Sequence, residues 1–241
     1  HHWATNCQIK VVQKLLHSCD GLQFILLENV VHGMQKPCVL DLKMGTRQHG
    51  DDATEAKMKV QKAKCAESTS AALGVRMVGM ELYESATDSY QFVDKMQGRK
   101  MDEAHFSACM RRFVRVAGRE RTAALRARLT ELRAVLAEAD GYRFFSSSIL
   151  VAFDAAKPEG SMQVRMIDFA HSTYGDFEGF NDVPYTGADE GYIKGIDSLL
   201  ERIPIGDVKE EPTDAQMQME VCALPKKHPS TSSLSDIDSK P

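Results

Sequence analysis

The chain has 241 residues, 43% of them hydrophobic, and a formal net charge of −4. This length and apolar content suffice for one large domain or two small ones, and the acidic balance gives no overall argument for nucleic-acid binding. No apolar run approaches the ~20 residues that span a bilayer, and the first residues show no secretory signal pattern. The six cysteines lack Cys-x-x-Cys spacing, so we expect reduced thiols in an intracellular protein, in the cytoplasm, the nucleus or both.

In chain order, the first strong signal is Phe24 to Val31, an apolar run that predicts a buried strand leading into a linker. Later runs bounded by turn residues predict strands, and stretches with helical spacing predict helices. The predicted strands are 38–44, 75–84, 89–96, 143–153 and 164–169. The predicted helices are 53–68, 102–116, the stretch between Gly118 and Gly141, and 193–203. Asp102 should be the N-cap of the second of these helices, and Leu125, Leu129, Leu132 and Leu136 should form one stripe on the third. Residues 206–241 contain no aromatic side chain and are predicted to be a disordered tail.

The strand around Asp41 and Lys43 carries the clearest chemical signal. Alternation places residues i and i+2 on one face of a strand, so Asp41 and Lys43 should point the same way, with Leu40 and Leu42 on the other face. An anion that seeks a metal or a hydroxyl would then lie beside a cation that seeks phosphate. This arrangement suits the transfer of a phosphoryl group.

A second acidic candidate, Asp168, ends a hydrophobic strand and precedes Phe169. Mg²⁺ takes carboxylate oxygens and bridges the phosphates of ATP, so this aspartate is a candidate metal ligand. The alternative is an aspartate that only caps the next turn.

Two segments are locally basic. Lys57 and Lys64 lie seven positions apart on one face of a predicted helix, where they either bind an anion or form a solvated face. Between Lys95 and Arg133 there are 11 Lys or Arg and 4 Asp or Glu. That segment either has an anionic partner or is a solvated amphipathic helix.

The string Pro37 to Gly45 reads Pro-x-x-x-Asp-x-Lys-x-Gly, and it resembles the motif of the inositol polyphosphate kinase family. Residues 46–53 and the string Ile-Asp-Phe-Ala-His-Ser-Thr from Ile167 are similar to the inositol hexakisphosphate kinase branch. The resemblance runs from about Phe24 to Ile203.

This resemblance implies an α+β fold of the protein-kinase and ATP-grasp type, with a mostly antiparallel sheet and an inserted helical segment. Residues 24–205 would be mainly the C-terminal lobe, with the inositol-phosphate-binding segment within about 46–140. Residues 1–23 would be a remnant of the N-terminal lobe or a linker. The implied reaction transfers the γ-phosphoryl group of ATP, with Mg²⁺, to an inositol polyphosphate, and for hexakisphosphate the product is a diphosphoinositol pyrophosphate.

The resemblance also implies roles for single residues. The Glu28 carbonyl and the Val30 amide would hold adenine, Asp41 would orient the ribose or catalytic groups, and Asp168 would hold Mg²⁺. Asp41 and Lys43 would be catalytic. The substrate-binding residues would be Lys43, Arg47, Lys57, Lys64 and Ser147. A competing hypothesis is a catalytically inactive inositol-phosphate-binding module that lacks the N-terminal ATP lobe.

Overall fold

The computed structural model describes residues 25–157, 160–175 and 183–206. The chain divides into two compact units, His1–Val30 and Val31–Pro241. The predicted lobe remnant at 1–23 and the predicted tail beyond Gly206 lie outside the described residues.

The buried strand predicted from Phe24 to Val31 is wrong where it can be checked. Residues 25–29 form no regular element, and Ile25, Leu26 and Leu27 are exposed. Residues 31–33 form a turn, in which the Met34 amide donates to the Val31 carbonyl over 3.1 Å. An apolar run becomes a buried strand only when a neighbouring strand takes up its backbone hydrogen bonds, and residues 25–29 pair with no described strand.

A five-stranded sheet and a two-stranded sheet organise the second unit. The strands are β1 (Pro37–Met44), β2 (Val75–Glu84), β3 (Ser89–Val93), β4 (Tyr142–Phe145), β5 (Ser148–Asp154), β6 (Gln163–Ile167) and β7 (His171–Tyr174). The large sheet has the order β3-β2-β1-β5-β6, and β4 pairs with β7. Each of these pairings is antiparallel, so the prediction of a mostly antiparallel sheet is confirmed.

The helices lie between and after these strands. They are α1 (Glu55–Ala66), α2 (Thr69–Leu73), α3 (Lys95–Lys100), α4 (Glu103–Ala117), α5 (Arg119–Glu138) and α6 (Glu190–Arg202). The Asp102 carboxylate accepts from the His105 amide over 2.9 Å, which confirms the predicted N-cap of α4. No helix in the described part of the chain is both long enough and apolar enough to cross a membrane.

Three predicted strands differ from the structure, two at an end and one by an internal break. The strand predicted over 89–96 ends at Val93, because Asp94 instead caps helix α3. The strand predicted over 143–153 is split at Ser146, which has a φ of +64°. The strand predicted over 164–169 ends at Ile167, and Asp168 has a φ of +65°. A residue with a left-handed backbone departs from the extended conformation and interrupts the hydrogen-bond ladder between strands.

The core forms between one face of the large sheet and the helices. Leu40 and Leu42 of β1 are buried, as are Phe106, Met110 and Phe113 of α4. Burial of one such side chain contributes about 1.5–3 kcal/mol. The opposite face of β1 is therefore free to carry polar groups.

The predicted leucine stripe of the second Arg-rich helix is also confirmed. Leu125, Leu129 and Leu136 of α5 are buried, and Leu132 packs against the same core. Because this stripe faces inward, the arginines of α5 lie mostly beside it.

Candidate functional site

Strand register brings four polar residues together at one end of the large sheet, where its central strands begin or end. Lys43, near the end of β1, pairs with Arg76 on β2 and with Ser148 on β5. Ser148 in turn pairs with Ile167, and Asp168 is the next residue after β6. Residues separated by more than 120 positions in the sequence therefore meet at this end of the sheet.

Asp41 and Lys43 share the face of β1 that points away from the core. The burial of β1 alternates from Pro37 to Met44, with Leu40 and Leu42 on the opposite, buried face. The sequence prediction for these two side chains is confirmed.

The Asp41 carboxyl is largely buried, and that burial raises its pKa. A hydrogen bond with Ser148 and the Lys43 ammonium act in the opposite direction, whereas the charge of Asp168 raises the pKa further. Its Oδ1 atom is buried and has no hydrogen-bond partner among the described residues. Two carboxylates that repel each other, one with an unused oxygen, favour a shared cation between them.

The Lys43 ammonium is held by the backbone of the β4–β5 turn. Its Nζ donates to the Ser146 carbonyl over 2.7 Å, and Ser146 is the left-handed residue of that turn. Burial and the Arg76 charge lower the pKa of Lys43, while Asp168 and Asp41 raise it. The ammonium is therefore aimed into a region that holds charges of both signs.

Five cations form a group that we call the cationic cluster: Lys43, Lys64, Arg76, Lys95 and Arg99. Burial lowers the pKa of Arg76, and the Arg99 charge lowers it further. The pKa of Lys95 is lowered by burial and then by the charges of Arg76, Arg99 and Lys64. These mutual effects show that the cations lie close enough to repel one another.

The cationic cluster also contains unused hydrogen-bond donors. Arg76 is only 7% exposed. Its Nη1 atom and the Nε atom of Arg99 are buried without a hydrogen-bond partner in the described ranges. Buried donors on charged groups are expensive to leave unsatisfied, so the geometry suits a ligand that brings several anionic oxygens.

The other predicted substrate residues fall in different places. Lys57 is exposed on α1, on the same face as Lys64 and about 10 Å before it at the rise of a helix. Arg47 lies over the Phe145 ring at 4.0 Å, donates to the Tyr185 hydroxyl over 3.0 Å and pairs with Asp51. Arg47 therefore has internal partners already, unlike Arg76.

Ser147 is not brought into the cationic cluster. Its side chain is fully buried beside the Tyr192 hydroxyl of α6, and its carbonyl accepts from the Met44 amide over 3.0 Å. The neighbouring Ser148 is the serine that reaches Asp41. Glu28 and Val30 belong to the first compact unit.

Sequence reasoning did not single out Arg76, Lys95, Arg99 or Ser148, although Lys95 and Arg99 lie in the segment noted for its positive charge. The signal for Arg76 was its position as the second residue of a strand that pairs with β1, which only the register reveals. For Lys95 and Arg99, the signal was the capping pattern Asp94 to Gln97, which starts a helix and places these two cations one turn apart.

The basic residues of α4 and α5 behave differently, because they bind within the protein. Arg112 contacts Glu84, and Arg133 contacts Asp197. The guanidinium groups of Arg121 and Arg126 donate to backbone carbonyls. The local excess of positive charge there is in large part taken up by internal partners.

The carboxylates fit a divalent cation that a nucleotide helps to hold. Among the described side chains, no three His, Cys, Asp or Glu residues come together as metal ligands. Mg²⁺ commonly takes one or two carboxylates and completes its shell with water and substrate phosphates. Asp41 with its unused oxygen and Asp168 match that donor set.

Comparisons with known proteins agree on one family. A model of the inositol polyphosphate kinase family matches residues 24–204. Inositol hexakisphosphate kinase 2 of Mus musculus is 38% identical over 87% of this chain and 55% of its own length. Inositol hexakisphosphate kinase 3 of Mus musculus is 42% identical, over 74% of this chain and 49% of its own length. The chain thus spans about half the length of the curated relatives it matches.

Solved structures share the fold. Inositol phosphate multikinase Ipk2 from S. cerevisiae, in complex with ADP and Mn²⁺, has a TM-score of 0.61 at 23% identity, covering 73% of this chain and 81% of that chain. A second inositol phosphate multikinase structure has a TM-score of 0.62 at 25% identity, covering 74% and 84%. The predicted α+β fold is therefore confirmed.

Proposed function

We propose that this chain, which belongs to the inositol polyphosphate kinase family, carries the phosphoryl-transfer site of an ATP-dependent inositol hexakisphosphate kinase. The proposed product is a diphosphoinositol pyrophosphate. Support comes from the relatives named inositol hexakisphosphate kinases, which are 37% to 42% identical, and from the sequence motifs at Asp41, Lys43 and Asp168.

The observation that carries this proposal is the meeting of two carboxylates with the cationic cluster at one end of the large sheet. A phosphoryl transfer between two polyanions needs both a place for a metal and a surplus of cations. Buried, unused donors on Arg76 and Arg99 favour a densely charged substrate over a singly charged one.

In the proposed reaction, an oxygen of a substrate phosphate forms a bond to the γ-phosphorus of ATP. The bond from that phosphorus to the bridging oxygen breaks, and ADP leaves with the electron pair. Lys43 neutralises charge on the transferred group from its fixed position on the Ser146 carbonyl. The protein contributes mainly positioning and electrostatic stabilisation.

Asp168 is the proposed Mg²⁺ ligand. Asp41 is the proposed contact for the ribose or for catalytic groups, and its unused oxygen also lets it share that cation. Mg²⁺ held by Asp168 would offset the negative charge of the nucleotide phosphates. Ser148 takes the serine role in place of Ser147, because the Ser148 hydroxyl reaches Asp41 whereas the Ser147 side chain lies beside the Tyr192 hydroxyl.

The remaining roles are proposed on the family resemblance. The Glu28 carbonyl and the Val30 amide hold adenine. Lys64 binds substrate phosphates as part of the cationic cluster, while Lys57 and Arg47 contribute from its margin.

An intracellular location, in the cytoplasm, the nucleus or both, is part of this proposal. ATP is supplied inside cells, and the described cysteines Cys38, Cys65 and Cys109 are free thiols.

The test is a direct assay of the purified protein with Mg²⁺, ATP and inositol hexakisphosphate, following ADP and the phosphorylated product. We expect both to form in equal amounts. Tight hexakisphosphate binding without turnover would instead support the inactive binding module. If hexakisphosphate is neither bound nor phosphorylated, it is not the substrate.

A further inference from the structure

Helix α3 delivers two of the five cations of the cationic cluster. Lys95 and Arg99 lie one turn apart on this helix of six residues. The Asp94 carboxylate accepts from the Met96 amide over 2.8 Å and from the Gln97 amide over 2.9 Å, and the Gln97 side chain accepts from the Asp94 amide over 2.8 Å. This reciprocal cap defines where the helix begins.

Gly98 lies on the opposite side of α3 from solvent, against the backbone of β2. A Cβ atom at Gly98 would lie 2.3 Å from the Met77 carbonyl oxygen and 2.9 Å from the Met77 carbonyl carbon. Ordinary contact begins near 3.4 Å, so any side chain would push α3 and β2 apart by about 1 Å. Met77 pairs with Leu42 of β1, so β2 cannot move away from α3 here without disturbing that ladder.

Glycine within a helix is otherwise unfavourable. It destabilises a helix interior by about 1 kcal/mol relative to alanine. Gly98 has no left-handed conformation that would require glycine. The close approach to β2 is the feature of the structure that needs a residue without a side chain here.

Met77 directly follows Arg76, so the same contact sets the distance from α3 to Arg76. The charges of Arg76 and Arg99 act on Lys95, and the charge of Arg99 acts on Arg76. Moving α3 outward would separate Lys95 and Arg99 from Arg76 without removing any charge.

We propose that Gly98 is a positioning residue for the polyanion site, because it holds Lys95 and Arg99 at the distance from Arg76 that one ligand can bridge. This inference rests on the proposed function. Gly98 touches neither substrate nor nucleotide, and it acts through the placement of α3.

The test is the Gly98→Ala variant of the intact protein, titrated calorimetrically with inositol hexakisphosphate at low and high salt. We expect the dissociation constant to rise about tenfold, equivalent to ~1.4 kcal/mol. The salt dependence should become shallower, because fewer cations act together. The KM for ATP should stay unchanged, which separates misplacement of α3 from a general loss of structure. An unchanged hexakisphosphate affinity in a folded variant, or an equal loss for ATP, would overturn the inference.

Two further variants make the result interpretable. Lys100→Ala removes an exposed charge from the same helix and should leave hexakisphosphate affinity within about twofold. Asp94→Ala removes the cap, at about 1 kcal/mol of helix stability, without a steric clash. This variant tests the placement of α3 if Gly98→Ala fails to fold. It should weaken hexakisphosphate binding and leave the KM for ATP unchanged. If Asp94→Ala leaves that binding unchanged, the placement of α3 does not matter. If the wild type itself does not bind hexakisphosphate, it is the proposed function that fails.

Discussion

Two basic regions of this molecule contain the same residue types but have different roles. In α4 and α5, arginines such as Arg121 and Arg126 donate to backbone carbonyls or pair with carboxylates. In the cationic cluster, Arg76 Nη1 and Arg99 Nε are buried without partners in the described chain, whereas Arg121, whose Nε is also unpaired, donates from both of its Nη atoms. The first arrangement stabilises the fold, and the second retains unsatisfied charge that a ligand can satisfy. Arginine content alone does not distinguish the two regions, because the neighbours of each guanidinium group decide whether it stabilises the fold or is available to a ligand.

The largest expected effect comes from removing the acidic partner of the cationic cluster. Asp168→Asn should lower turnover by far more than tenfold while the fold is kept, because asparagine also tolerates the φ of +65° found at this position. Steady-state rates with ATP and hexakisphosphate, together with thermal unfolding, would measure both effects. A variant that keeps more than about a tenth of wild-type turnover, a loss under ~1.4 kcal/mol, would show that Asp168 is not the metal ligand.

Next in size is a pair of variants that should separate the two basic regions. Arg76→Gln should weaken hexakisphosphate binding by ~1.5–3 kcal/mol, the scale of a hydrogen bond to a charged group. The free energy of unfolding should not fall, because the variant relieves a buried cation that lacks a full set of partners. Calorimetric titration and chemical denaturation give the two quantities.

The matched control is Arg121→Gln. Arg121 is 4% exposed and donates to the carbonyls of Asp154 and Lys157, so its replacement should lower the free energy of unfolding by ~1–3 kcal/mol. Hexakisphosphate affinity should be unchanged. If both variants lose binding and stability alike, the distinction between the two regions is wrong.

A smaller effect is expected from pH. In the folded protein, burial and the charges of Arg76, Arg99 and Lys64 hold the pKa of Lys95 below its ordinary value of 10.5, and Asp41 only partly offsets them. In the folded protein without ligand, Lys95 therefore loses its proton at a lower pH than an ordinary lysine. A polyanion binds more tightly when Lys95 is protonated. Affinity for hexakisphosphate should fall as the pH rises through this lowered pKa, before 10.5 is reached.

The same shift affects stability in the opposite direction. Between the lowered pKa and 10.5, the unfolded chain binds the proton that folded Lys95 has released, so Lys95 makes the free energy of unfolding rise with pH in this window. In Lys95→Arg the cation persists, so the loss of affinity should move to higher pH. Identical pH profiles for the wild type and this variant would exclude Lys95 as the titrating group.

The smallest effect concerns helix α1. Lys64 acts on Lys95, whereas Lys57 is exposed and two turns away. Lys64→Ala should weaken hexakisphosphate binding more than Lys57→Ala, whose effect should be a few-fold and should vanish at high salt. Equal losses in the two titrations would show that the substrate extends along the whole helix.

Site residues that are close together in the sequence could be predicted, and those far apart in the sequence could not. Asp41 and Lys43 are two positions apart in a strand, so alternation was enough to place them on one face. Arg76 and Ser148 lie across strand pairs from Lys43, and no local pattern states which strands are neighbours. Ser147 and Ser148 show the limit most sharply, because a one-residue difference in register decides which hydroxyl is buried beside Tyr192 and which reaches Asp41.

By itself, the sequence determined the periodic features of this protein: the polar face of β1, the cap of α4, the leucine stripe of α5 and the motifs that mark its family. These depend on spacing within a single element, where backbone geometry repeats. Only the tertiary structure decided that Gly98 brings α3 against Met77, and that Arg121 donates to the Asp154 and Lys157 carbonyls while the Arg76 Nη1 atom has no partner in the described chain. The physical reason is that burial and partner choice belong to pairs of elements, and these pairs are set by packing and register.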